Sequence, residues 1–221
     1  GKNYTLIDTA GIRRKSRIEE SSIELYSIIR AMDAISRADV VIIVIDSSDG
    51  ITEQDVKIAG LVDKEGKPSV ILMNKWDLVE KDNVTINKFN NNLAEDLKFM
   101  SYFKALYVST VTGKRINLIM DEINAAYEHS NYRISTSNLN EIIHNAVLTN
   151  EPPIHKGRKL KIFFLTQVSV KPPTFIIFVN NKDLMNFSYL RYLENCIRKA
   201  VDFSGTPINI IVKNKNEKSE N

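Results

Sequence analysis

The 221 residues suffice for one large domain or two small ones, and 43% apolar with 26% charged residues fits a packed core and an ordinary soluble composition. The longest apolar runs, Val40 to Ile45 and Phe175 to Val179, fall far short of the roughly 20 residues needed to cross a bilayer as a helix. The start at Gly1-Lys2-Asn3 has no signal-peptide pattern, and the single Cys196 excludes an internal disulfide framework, so a reducing, cytoplasmic setting is expected, with Cys196 a buried, inert thiol.

The first 130 residues alternate short apolar runs with amphipathic stretches. Tyr4 to Ile7, Val40 to Ile45, Ser69 to Met73 and Ala105 to Val108 read as buried strands, apolar throughout as in a covered parallel sheet. Helical spacing falls between them, over Glu24 to Arg37, Thr52 to Lys64, Ile86 to Phe99 and Ile116 to Tyr127. This alternation predicts a doubly wound α/β sheet with right-handed crossovers. Near residue 132 the pattern changes. Ser135-Thr136-Ser137-Asn138 offers N-cap side chains, and Leu139, Ile142, Ile143, Ala146 and Val147 follow at helical spacing until Glu151-Pro152-Pro153. Strands are expected over Leu160 to Val170 and Thr174 to Asn180, a helix over Ser188 to Phe203, and a last strand over Ile208 to Val212. That order predicts a small α+β domain with its helices on one sheet face. The expected domains are thus 1–131 and 132–213, with 214–221 a polar, disordered tail.

Charge is unevenly shared. From Arg133 onward there are thirteen Lys or Arg against seven Asp or Glu, a net +6, while residues 1–132 carry a net −3. The basic back third suits an anionic partner such as RNA.

Polar motifs follow three of the expected strands, where open α/β sheets bind ligands. Asn74-Lys75-Trp76-Asp77 follows the strand at Ser69. A guanine edge presents N1–H and an exocyclic amine, and the Asp77 carboxylate can accept both. Adenine lacks that pair, so Asp77 would be left unsatisfied against it. Asn74 suits the acceptor side of the base and a link between loops, and the Lys75 stem can lie across the base plane. Trp76 is expected to pack beside the loop. The same four residues also fit a polar strand-to-helix turn capped by Asp77, so the other loops matter.

Asp8-Thr9-Ala10-Gly11 follows the strand at Tyr4. There Asp8 can hold magnesium through water, and the Gly11 N–H can face a terminal phosphate; both are candidate catalytic positions. Ile12 stands next, and an apolar side chain cannot orient an attacking water. Ser109-Thr110 adds a third loop whose backbone N–H groups can meet the guanine carbonyl. Three such loops in this order point to a guanine-nucleotide site.

Asp8-Thr9-Ala10-Gly11-Ile12-Arg13-Arg14-Lys15 and Asn74-Lys75-Trp76-Asp77 resemble the second GTPase domain of the Der (EngA) family, within the translation-factor-like GTPases. Leu139-Asn140, Pro152-Pro153, Lys156-Gly157-Arg158, Thr166-Gln167-Val168, Lys171-Pro172-Pro173-Thr174-Phe175, Arg191-Tyr192-Leu193-Glu194-Asn195 and Gly205-Thr206-Pro207-Ile208 are similar to the family's terminal KH-like domain. The resemblance spans nearly the whole chain. It implies a P-loop NTPase-like fold and GTP or GDP with magnesium at Asp8, Thr9, Ala10, Gly11, Ile12, Asn74, Lys75, Trp76, Asp77, Ser109 and Thr110. It also implies a potassium ion beside the phosphates in place of a catalytic glutamine. The implied role is assembly of the large ribosomal subunit, with ribosomal RNA as partner and the protein monomeric.

No G-x-x-x-x-G-K-[ST] segment occurs in the chain, so the β and γ phosphates lack their usual cradle. In the family that loop would lie upstream of Gly1, on a strand between those at Tyr4 and Val40. A fragment unable to hydrolyse GTP by itself is therefore expected, with an RNA-binding or interaction module as the other reading. A tRNA-modification GTPase would share the nucleotide motifs but not the KH-like part. Arg13, Arg14, Lys15 and Arg17 form a basic run fit for RNA, for the KH-like domain or for solvent. No GXXG occurs between Ile134 and Val212, so RNA contact would fall to Lys156, Arg158, Lys159, Lys161 and Lys171. His129, His144 and His155 lack metal-ligand spacing. Phe163, Phe164, Phe175 and Phe178 are expected in the core.

Overall fold

The computed structural model describes residues 2–8, 20–80, 85–155 and 157–215, with backbone alone for 20–28 and 155. Its contacts divide the chain into two units at Ile123–Asn124.

In the first unit α1 (Glu20–Arg37) leads to β1 (Val41–Asp46), α2 (Glu53–Lys64), β2 (Ser69–Asn74), α3 (Thr85–Asp96) and β3 (Ala105–Tyr107), and α4 (Ile119–Asn131) includes the point of division. The strands form a parallel sheet in the order β1-β2-β3, with Asp46 opposite Asn74 and Met73 opposite Tyr107. Parallel pairing needs helical crossovers, and α2 shows how the chain starts one. Thr52, in extended backbone, accepts from Asp55 N with its hydroxyl, while the Asp55 carboxylate accepts from Thr52 N at 2.9 Å. This capping box satisfies two N–H groups that the first turn leaves open. Ala59 and Val62 then seat the helix in a core with Ile43, Ile45, Ile71 and Met73.

The expected strand at Tyr4 to Ile7 does not form. Residues 2–8 are irregular, Tyr4 is 53% exposed and Leu6 84% exposed. Among the described residues no strand pairs with this segment, and β1 pairs with β2 alone. The helix expected from Ile116 begins as a 3₁₀ turn, Ile116–Leu118, behind Arg115 at φ +56°, and α4 runs on to Asn131.

In the second unit α5 (Thr136–Thr149) is followed by a short hairpin of β4 (Ile154–His155) and β5 (Arg158–Lys159), which the sequence reading missed. Then come β6 (Ile162–Ser169), β7 (Thr174–Val179), α6 (Phe187–Ala200) and β8 (Asn209–Asn214), which reaches one residue into the segment expected as a tail. The sheet order is β6-β7-β8, antiparallel then parallel. Ser135 and Asn186 cap α5 and α6, accepting from Asn138 N at 3.2 Å and Tyr189 N at 2.7 Å. Both helices bury one face, Leu139, Ile143 and Ala146 on α5 and Tyr189, Leu193 and Ile197 on α6, against Leu165, Phe175, Ile177 and Val179 of the sheet. Cys196 lies half-buried against this core.

One expectation about side chains changes. Only Phe175 of the four phenylalanines is fully buried; Phe163 and Phe164 are 40% and 39% exposed, and Phe178 is half-buried. Alternation along β7 puts Phe175, Ile177 and Val179 on the helix side and Ile176 and Phe178 on the other. Of the expected RNA-contacting lysines, Lys159 pairs with Glu151 at 2.6 Å, and Lys171 donates to the Tyr127 hydroxyl at 2.9 Å. Lys156 lies outside the described residues.

Candidate functional site

The carboxyl ends of β1, β2 and β3 lie side by side, so their loops converge. Asn74 closes β2 and joins both neighbours. Its carbonyl accepts from Ser47 N at 2.8 Å, and its Oδ1 accepts from Thr110 N at 3.2 Å. One side chain thus links the loop after β2 to the loop after β3.

Lys75 takes φ +57°, a left-handed conformation that turns the chain sharply out of the strand. Its ammonium pairs with Asp46 at the end of β1. Asp46 is itself held: Oδ1 accepts from Ser48 N at 3.0 Å and Ser48 Oγ at 2.6 Å. The Lys75 hydrogen bond, then the Ser48 hydroxyl, hold the Asp46 carboxyl down at about 2. Gly50, at φ +74°, donates to Asp46 O at 3.0 Å and closes this loop.

Trp76 N donates to Val108 O at 3.0 Å, tying the third strand's end to the same turn. The indole is 1% exposed and meets Tyr107 and Phe89 at ring separations of 4.5 and 5.1 Å. Tyr107 donates to Asn90 Oδ1 at 2.6 Å, and burial pushes its hydroxyl up to about 12. The loop 74–77 therefore stands on a rigid aromatic floor. Asp77 follows, half-buried, with Oδ1 out of reach of solvent. Ser109 is fully buried, its Oγ accepting from Thr112 N at 3.1 Å, while Thr110 is exposed.

The structure thus gathers Asn74, Lys75, Trp76, Asp77, Ser109 and Thr110 around one surface. Asp8 lies in irregular backbone and is exposed. Thr9, Ala10, Gly11 and Ile12 lie outside the described residues, as do Arg13, Arg14, Lys15 and Arg17. Asp46 and Ser48 were missed. Their signal was an acid at the end of a neighbouring apolar strand, followed by two serines. A separate cleft, with Asp49, Glu95 and Asp96 above Met73, Phe89 and Leu93, has an acidic lining unsuited to a phosphate. Among the described residues no group of three His, Cys, Asp or Glu gathers to hold a metal ion.

Residues 26–129 match the family described as the elongation factor Tu GTP binding domain. Residues 133–213 match the KH-domain-like family of EngA bacterial GTPase enzymes, C-terminal. GTPase Der of Alkaliphilus oremlandii is 54% identical over 212 residues, covering 96% of this chain and 48% of that protein. GTPase Der of Agathobacter rectalis is 51% identical over 217 residues, covering 98% and 49%. The chain belongs to the Der (EngA) family. It spans about half the length of the curated Der proteins it matches. Its fold is the α/β fold of the translation-factor-class GTPases followed by the KH-like domain of EngA. A looser likeness exists to a crystal structure of Era in complex with MgGDPNP and part of 16S ribosomal RNA, with TM-score 0.44 at 14% identity over 94% of this chain and 74% of that one.

Proposed function

We propose that this Der-family chain carries the base-reading part of a guanine-nucleotide site, and that residues 132–213 form an RNA-contacting domain acting at the large ribosomal subunit in the cytoplasm. The observation that carries the first part is the bond from Thr110 N to Asn74 Oδ1, which unites two loops beside the half-buried Asp77. Asp77 accepts the two donors of the guanine edge. Ser109 and Thr110 bound the base site on the other side, their N–H groups held by Lys114 O and Asn74 Oδ1. Lys75, steered by Asp46, lies along the base plane. A bound nucleotide would bring the phosphates that react, and magnesium and potassium would supply charge stabilisation for them. Asp8 would hold the magnesium through water, and Gly11 would face the terminal phosphate.

Base reading alone does not transfer a phosphoryl group, which needs charge stabilisation at the phosphates. The 221 residues contain no P-loop motif. The chain by itself, incubated with GTP, magnesium and potassium, is expected to release no phosphate above buffer. Measurable turnover by the purified chain would show that the phosphate grip lies within these residues. Among the described residues no helix is long and apolar enough to cross a membrane.

A further inference from the structure

The sheet β6-β7-β8 has one face filled by α5 and α6, while residues on its other face remain exposed. Register fixes what lies there. Phe164 sits opposite Phe178, and Phe178 opposite Lys213; Ile176 sits opposite Ile211. The Phe164 and Phe178 rings stack at 4.4 Å with 22° between their planes, and Ile211 is 44% exposed. Lys215, two residues beyond Lys213, places Nζ 4.6 Å from the centre of the Phe163 ring. No Asp or Glu occurs from Leu160 to Lys182 or from Thr206 to Lys215. The patch is therefore aromatic and cationic together.

An apolar protein surface would use the rings and strand the lysines. A folded duplex would meet the lysines but hide its base faces. A strand with planar bases and a phosphate backbone uses both. We propose that this open sheet face binds single-stranded RNA, with bases stacked on Phe163 and the Phe164–Phe178 pair and phosphates against Lys213 and Lys215. This rests on the reading of residues 132–213 as RNA-contacting, and it gives that reading a surface that needs no GXXG loop.

The test is fluorescence anisotropy of the whole 221-residue chain with a short labelled single-stranded RNA and with a hairpin duplex. The single strand is expected to bind more tightly. Phe164→Leu with Phe178→Leu keeps the face apolar but removes stacking, and should weaken the single strand by about tenfold or more. Lys213→Gln with Lys215→Gln, which leaves the core untouched, should flatten the salt dependence of log K by about 1.4. Wild-type affinity and salt slope in both variants would overturn the proposal. Loss confined to Arg158→Gln with Lys159→Gln would also overturn it, placing RNA on the β4–β5 hairpin while keeping the broader reading. No RNA binding by the parent chain would sink both. Self-association that the leucine variant abolishes, with RNA binding intact, would assign the face to a second copy instead.

Discussion

Trp76→Ala is expected to cost about 3–5 kcal/mol, because it empties the largest fully buried side chain of the first unit. The indole touches both Phe89 and Tyr107, which also approach each other at 6.4 Å, so its loss leaves two aromatic rings facing a cavity. Aromatic pairs add about 0.5–1.5 kcal/mol beyond area burial, which places this substitution at the upper end of core truncations. A domain's whole stability is about 5–15 kcal/mol, so much of the first unit's margin would go. Trp76→Phe refills most of that volume and should cost far less. Urea unfolding followed by far-ultraviolet circular dichroism checks this: the alanine variant should unfold at clearly lower urea than wild type, with the phenylalanine variant between. An unchanged midpoint for Trp76→Ala would mean that the indole does not hold the loop 74–77 in place.

Gln167→Glu should be nearly as damaging in the second unit. Gln167 is 6% exposed, and its amide is fully used. Oε1 accepts from Ile134 N at 2.8 Å, while Nε2 donates to Tyr132 O at 2.9 Å and Ser169 O at 3.2 Å. It therefore staples the segment before α5 to the bulged end of β6. A glutamate keeps the acceptor but turns the donor into an anion facing two carbonyl oxygens in a buried site. The variant must unfold that corner or take up a proton, and its stability should recover as pH falls toward the carboxylate range. Gln167→Ala instead orphans the buried Ile134 N–H, at about 1–3 kcal/mol, with no dependence on pH. Unfolding midpoints for both variants, taken at neutral and mildly acidic pH, distinguish the two mechanisms. A glutamate variant as stable as wild type at neutral pH would contradict this account.

Periodicity located most of the elements because the forces that set it are local. The apolar runs at Ser69 and Ala105 are buried strands of a covered parallel sheet, while the run at Val40 is a strand whose Val44 is 59% exposed, and Ser135 marks a helix start because its side chain replaces a lost hydrogen bond. The failures come from partners that a single segment cannot reveal. Tyr4 to Ile7 has strand composition, but pairing needs a neighbouring edge, and Leu6 is left 84% exposed. Phe164 and Phe178 look like core residues by type, yet register against Phe175 and Ile177 sends them to the other face. Asn74 to Asp77 could be singled out from sequence because a guanine edge calls for such side chains together, and the structure adds the turn that they form. Asp46 was not, since its role depends on the alignment of β1 with β2 and on the left-handed turn at Lys75.

The central claim is that the loops at 74–77 and 109–110 read a guanine base. Its most direct test is a nitrogen-15 NMR titration of the 221-residue chain with GDP and, separately, ADP. The account predicts weak binding by GDP alone, with amide shifts concentrated at Asn74, Lys75, Trp76, Asp77, Ser109 and Thr110. Equal shifts with ADP, or GDP shifts that spare these six amides, would contradict it.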